Sequence, residues 1–156
     1  MSYTQRTGIK SVRNSIIITE DGERIDIRKV DIGKIRHQQR NGGNKYGART
    51  AEYQGVTYHS TMEAQYAAQL ELQKRGKLIK DWERQIKIPL IVYGKLISTY
   101  YADFRVTHND GTIEIIEVKG MLTEYARIKW NLFTTIYTKE HPEIKITMVR
   151  SAQIRM

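Results

Sequence analysis

The sequence predicts an α/β fold built on a mixed sheet, and three observations predict it. Segments 60–77 and 124–141 carry the signals of helices. Between them lie alternating segments joined by short glycine-bearing turns, which pair as antiparallel neighbours. One further alternating segment follows the second helix, and a strand placed there can add to the sheet in parallel through a crossover. The order helix, strands, helix, strand belongs to the α/β class, and 156 residues are the size of one ordinary domain with an appendage.

Residues 1–14 are polar and basic and read as a mobile tail. SIIITEDGERIDIRKV (15–30) gives a strand, an Asp-Gly turn signal and a second strand, hence an N-terminal β-hairpin. GKIRHQQRNGGNKYGART (33–50) has no hydrophobic periodicity and reads as a basic, flexible linker. The expected division is an extension over 1–43 and a compact domain over 44–156. Within that domain, EYQGVTYH (52–59) is a short strand or hairpin. In STMEAQYAAQLELQKRGK (60–77), Ser60 can cap the helix with Glu63 at its third position, a capping-box spacing. Ala64, Ala67, Ala68 and Leu72 form its apolar face and Gly76 its stop. DWERQIKIPLIVYGKLIST (81–99) reads as strand, glycine turn and strand, and YYADFRVTHNDGTIEIIEVKG (100–120) as a second hairpin. The helix EYARIKWNLFTTIYTKEH (124–141) aligns Tyr125, Ile128, Leu132 and Ile136 on one stripe. EIKITMVR (143–150) closes the chain as a strand.

Composition narrows the class of function. Twenty-six Lys and Arg against 17 Asp and Glu give a net charge of +9, which favours polyanions through counterion release. The first fifty residues are the more basic part, with 11 Lys/Arg against 5 Asp/Glu. Arg36, Arg40, Lys45 and Arg49, spaced by Gly42 and Gly43, are candidate phosphate contacts of a mobile arm; a solubilising tail is the structural alternative, and the N-terminal hairpin could serve a dimer interface. The absence of cysteine excludes disulfides and thiolate metal sites. No run approaches the roughly 18 apolar residues of a membrane span, and the N-terminus lacks a secretory apolar core. No membrane association and a cytoplasmic location are expected.

The second hairpin carries the chemistry. Glu117 and Lys119 share one face of their strand, because side chains alternate. If Asn109-Asp110-Gly111 is a three-residue loop with Gly111 left-handed, His108 pairs with Thr112 and Asp103 lies opposite Glu117. A two-residue loop would shift the pairing by one. Opposed carboxylates repel unless a cation sits between them, and a hard ion such as Mg²⁺ takes such oxygen ligands. Two acids, a metal and a lysine suit phosphodiester hydrolysis. The structural reading makes the acids exposed residues of an edge hairpin neutralised by Lys119. Against it, both acids interrupt apolar strands and Glu63 offers a third carboxylate upstream.

Asp103, thirteen intervening residues, then Glu117-Val118-Lys119, with an upstream helical Glu63, resembles the PD-(D/E)XK nuclease superfamily. Ala102 stands where that motif has proline. The stretch from Lys45 to Gly120 further resembles a phage-encoded endonuclease family catalogued as DUF1064 and described as Holliday-junction-resolvase-like, over about residues 44–150. The resemblance implies a restriction-endonuclease-like core, a central mixed sheet flanked by helices. It implies that Asp103 and Glu117 ligate Mg²⁺ (or Mn²⁺), with the Val118 carbonyl as a further ligand. Glu63 would complete the metal site directly or through water, Lys119 would be the catalytic lysine, and Arg127 and Lys129 on the following helix would meet the DNA backbone. It also implies branched DNA as substrate, a homodimer for paired incision, and host cytoplasm if the gene is a phage's. A nuclease with another DNA target, or a non-catalytic DNA-binding protein, are the alternatives. Gln85 is a weaker candidate from the same resemblance. The four histidines (37, 59, 108 and 141) lack metal-ligand spacing, although His59 could approach the acids. Tyr46, Tyr53 and Tyr58 are candidates for stacking on unpaired bases, with core or edge packing as the more usual alternative.

Overall fold

The computed structural model describes residues 9–13, 16–19, 22, 24–26, 35–37, 50–151 and 154. The chain separates into two compact units, breaking between Ile79 and Lys80.

In the N-terminal unit, β1 (Ile9–Arg13), β2 (Ile16–Thr19) and β3 (Arg24–Asp26) form an antiparallel sheet in the order β1-β2-β3. The β2–β3 hairpin is the one the Asp-Gly signal predicts, with Gly22 at φ +84°. The expected mobile tail is corrected over Ile9–Arg13, which is a strand. Five residues are too few to show a period, and their order comes from the edge that β2 offers. The expected linker is corrected likewise at β4 (Arg36–His37), which pairs with β5 (Ala51–Tyr53). A two-residue turn at Gln54 (φ +52°) and Gly55 (φ +77°) joins β5 to β6 (Val56–Tyr58), the left-handed pair that suits strand twist.

Helix α1 (Thr61–Arg75) packs on β5 and β6. Its expected apolar face is buried at Ala64, Ala67 and Ala68, with Leu70 beside them. The helix ends at Gly76 as expected, but Gly76 itself has φ −76° and Lys77 takes the left-handed turn at φ +56°.

In the C-terminal unit, β7 (Asp81–Val92) turns through Tyr93 and Gly94 into β8 (Lys95–Thr107). That second strand, expected to end near residue 99, continues to Thr107, so one long strand serves both hairpins. β9 (Ile113–Lys119) follows, then α2 (Glu124–Glu140) and β10 (Lys145–Arg150). The sheet order is β10-β9-β8-β7, with β9–β10 parallel and the other pairs antiparallel. The crossover through α2 accounts for the one parallel pair. This mixed α/β architecture is compatible with a restriction-endonuclease-like core.

The core of this unit centres on Phe133, fully buried and stacked on Tyr100 at 4.3 Å between ring centroids. Ile88, Leu90, Ala102 and Ile115 complete it. The expected stripe of α2 is corrected at its N-terminal half. Trp130, Leu132, Ile136 and Tyr137 flank Phe133, whereas Tyr125 and Ile128 are exposed by 71% and 59%. Two apolar stripes at helical spacing coexist in this helix, and only the neighbouring strands select which faces inward.

Candidate functional site

The hairpin that holds the candidate site is set by its loop. Gly111 adopts φ +87° and donates its N–H to the His108 carbonyl at 3.0 Å, while the His108 N–H donates to Thr112 O at 2.9 Å. Asp110 Oδ1 accepts from the Thr112 N–H at 2.9 Å and fastens the turn. The three-residue loop is therefore the one formed, and the ladder runs from Thr107↔Ile113 to Phe104↔Ile116. One more step in this register brings Asp103 level with Glu117. There the backbone ladder gives way to a side chain: Asp103 Oδ2 accepts the Val118 N–H at 2.8 Å. On the other side of β8 the irregularity is matched by Gln85. It falls between the pairs Arg84↔Phe104 and Ile86↔Ala102 and has φ +54°, a rare conformation for a residue with a Cβ.

Both acids are buried, Asp103 to 8% exposure and Glu117 to 3%. Glu117 Oε1 pairs with Lys119 Nζ at 2.5 Å, and the Lys119 side chain is one-third exposed. Glu117 Oε2 is buried and has no hydrogen bond among the described residues. The neighbouring Tyr100 phenol is pushed well above its ordinary range, first by burial, then by the charge and hydroxyl contact of Glu117, then by the charge of Asp103. Even with the phenol against the carboxylate, Oε2 has no hydrogen bond of normal geometry. Both carboxylates thus act on one phenol. Beside them opens a cleft of about 270 Å³, with Glu117, Lys119 and Lys129 among its polar lining and Tyr101, Tyr125 and Met148 among its apolar walls.

Residues 43–155 match the family described as "Protein of unknown function (DUF1064)". The chain belongs to the DUF1064 family. Asp103, Glu117, Lys119 and Glu63 all lie within the matched segment of this DUF1064 protein, and its first forty-two residues lie outside it. No curated protein matches the chain.

Glu63 belongs to the N-terminal unit, where it is 7% exposed and closes the start of α1. Its N–H donates to Ser60 Oγ at 3.1 Å, its Oε1 accepts from the Ser60 hydroxyl, and its Oε2 accepts the His59 N–H at 3.3 Å. The capping box is therefore built, shifted by one residue from the usual return to the cap's own N–H. The His59 ring lies 3.8 Å from the same carboxylate. Among the described residues, no group of three or more His, Asp or Glu is arranged to hold a metal.

Lys129 lines the cleft, whereas Arg127 is exposed and faces Glu124 of its own helix at 3.9 Å. Arg36 lies in β4, where the backbone alone is described, and Arg40, Lys45, Arg49 and Tyr46 fall outside the described residues. Tyr53 and Tyr58 are buried, at 7% and 6% exposure, which selects core packing over base stacking for both. The sequence reading missed the cleft-lining Tyr101, Tyr125 and Met148. The Tyr100-Tyr101 doublet two residues before Asp103 was the available signal for Tyr101. No described helix is long and apolar enough to cross a membrane.

Proposed function

We propose that this protein is a Mg²⁺-dependent endodeoxyribonuclease that hydrolyses phosphodiester bonds of branched DNA, with Mn²⁺ able to substitute. The observation that carries this reading is Glu117 Oε2, a buried carboxylate oxygen that has no hydrogen bond of normal geometry although the Tyr100 hydroxyl contacts the same carboxylate. Leaving a charged oxygen in that state is costly, and a cation would satisfy it. The donor set fits a hard divalent ion: two buried carboxylates and nearby backbone, all oxygen. Asp103 and Glu117 would hold the ion, with the Val118 carbonyl as a further donor. When bound, the ion supplies an activated water and screens the charge of the phosphoryl oxygens.

The protein's own residues do the rest. The Val118 N–H fixes Asp103 before substrate arrives, so the carboxylate need not reorganise during reaction. Lys119, held by Glu117 at the cleft, can place its ammonium on a non-bridging oxygen as negative charge builds there. Water adds its oxygen to phosphorus, the bond from phosphorus to one sugar oxygen breaks, and the proton the water loses is balanced by one taken up on that oxygen, leaving a phosphomonoester and a free hydroxyl. The net charge of +9 and Lys129 beside the cleft favour a polyanion. Resemblance to junction resolvases points to branched DNA, and symmetric incision of a four-way junction would use two copies.

The decisive variant is Asp103→Asn, whose amide oxygen can still accept the Val118 N–H and preserve the fold. Parent and variant are offered labelled four-way junctions, flaps, linear duplex and single strands with Mg²⁺, and incisions are mapped. The expected result is at least a ~100-fold loss of cleavage with binding retained. Cleavage by the variant at the parental rate would overturn the metal site, and equal cutting of plain duplex and junctions would overturn branch selectivity.

A further inference from the structure

We infer that the cleft beside Glu117 and Lys119 is a subsite for one unpaired nucleobase, so that the strand is engaged where its bases are not stacked in a duplex. The inference rests on nucleic acid being the ligand of the proposed site and adds the state of the nucleotide next to the reacting phosphate.

Four features point the same way. Tyr125 and Tyr101, exposed by 71% and 54%, both line the cleft. Neither is needed by the core of its element, since α2 fills the sheet through Phe133 and β8 through Tyr100 and Ala102. Aromatic rings lining a largely apolar cleft that also carries a few charged side chains are characteristic of ligand recognition. Second, Lys129 Nζ lies 5.7 Å from the centroid of the Tyr125 ring. That ammonium steadies the ring and brings positive charge to the same wall.

Third, a volume of about 270 Å³ is enough to seat one base against these walls. Fourth, Glu117 and Lys119 belong to the same lining, so a base seated against the tyrosines puts its own phosphate beside the proposed catalytic groups. A base inside a duplex has both faces covered by its neighbours and cannot stack on Tyr125. An unpaired base can, and every base has such a face. The substrates this selects are flaps, splayed junction arms and single strands.

The test uses the full chain in EDTA with oligonucleotides carrying 2-aminopurine, either single-stranded, in a flap or in blunt duplex. Binding should quench 2-aminopurine in the first two. Tyr125→Ala should weaken single-strand and flap binding roughly tenfold and leave duplex binding within about twofold, as expected for loss of one stacked base. Tyr125→Phe, which keeps the ring, should bind like the parent. Unchanged single-strand affinity in Tyr125→Ala, or an equal loss on duplex, would overturn the subsite. The nuclease reading is judged separately, by wild-type cleavage with Mg²⁺. A parent that quenches 2-aminopurine through Tyr125 but cuts no DNA supports the subsite and overturns the nuclease. A parent that cuts all these DNAs without needing Tyr125 overturns the subsite alone.

Discussion

Glu117→Met should make the metal-free protein more stable while abolishing its response to Mg²⁺. Glu117 is 3% exposed; Lys119 pairs with its Oε1, the Tyr100 hydroxyl contacts the carboxylate, and Oε2 has no hydrogen bond of normal geometry. A buried polar atom left unsatisfied costs about 1–3 kcal/mol. Its ion pair with Lys119 returns little, about 0–1 kcal/mol, because the lysine is one-third exposed and solvent screens the pair. Methionine fills a similar volume without polar oxygens and the released lysine can hydrate at the cleft, while the Tyr100 hydroxyl loses its contact with the carboxylate at a cost of about 0.5–1.5 kcal/mol. The balance favours the variant by up to about 1 kcal/mol, or a rise of about 2–4 °C in Tm for a chain of this size.

Bound Mg²⁺ reverses the order. At a hundredfold excess over Kd it would stabilise the parent by about 2.7 kcal/mol, and the variant not at all. Thermal melts of both proteins in EDTA and in saturating Mg²⁺ read all four values. A variant that melts several degrees below the parent in EDTA would show Glu117 to be a structural group. Equal Mg²⁺ shifts in both proteins would place the ion elsewhere. Either result refutes the reasoning.

Two further outcomes follow from the same unit. Glu114 is buried and accepts hydrogen bonds from Thr147 Oγ1, Lys145 Nζ at 2.9 Å and His108 Nε2 at 3.1 Å. Burial pushes its carboxyl up, but those partners outweigh it and hold the group below its ordinary range. The stability it contributes is therefore present above the ordinary glutamate pKa and lost as pH falls through the lowered value. Acid titrations of Tm should show a shallower decline in Glu114→Gln than in the parent. Phe133→Ala, at a fully buried site stacked on Tyr100, should cost about 3–5 kcal/mol in urea unfolding. It should also reduce cleavage, since Tyr100 backs the Glu117 carboxylate, and Phe133→Leu should recover part of both.

Much of the fold was legible because local chemistry dictated it. Ser60 and Glu63 begin α1, and Gly111 imposes the three-residue loop. That loop sets the register that brings Asp103 level with Glu117. Where the reading failed, the deciding partner lay elsewhere in the chain. Ile9–Arg13 and Arg36–His37 are strands because another strand's edge pairs with them. Tyr53 and Tyr58 look like stacking rings until β5 and β6 meet α1 and bury them.

By itself, the sequence determined the α/β class and the acid-acid-lysine pattern and reduced the hairpin register to two alternatives, all of which follow from alternation and turn geometry within short stretches. Only the tertiary structure decided three further matters. It buried both acids and left one Glu117 oxygen without a hydrogen bond of normal geometry. It turned Phe133, rather than Tyr125 and Ile128, toward the sheet. It also assembled Tyr101, Tyr125 and Lys129 around a cleft at the acids. These depend on which of several equally apolar faces finds a partner and which polar atoms find none, and neither is fixed by spacing along one strand or helix.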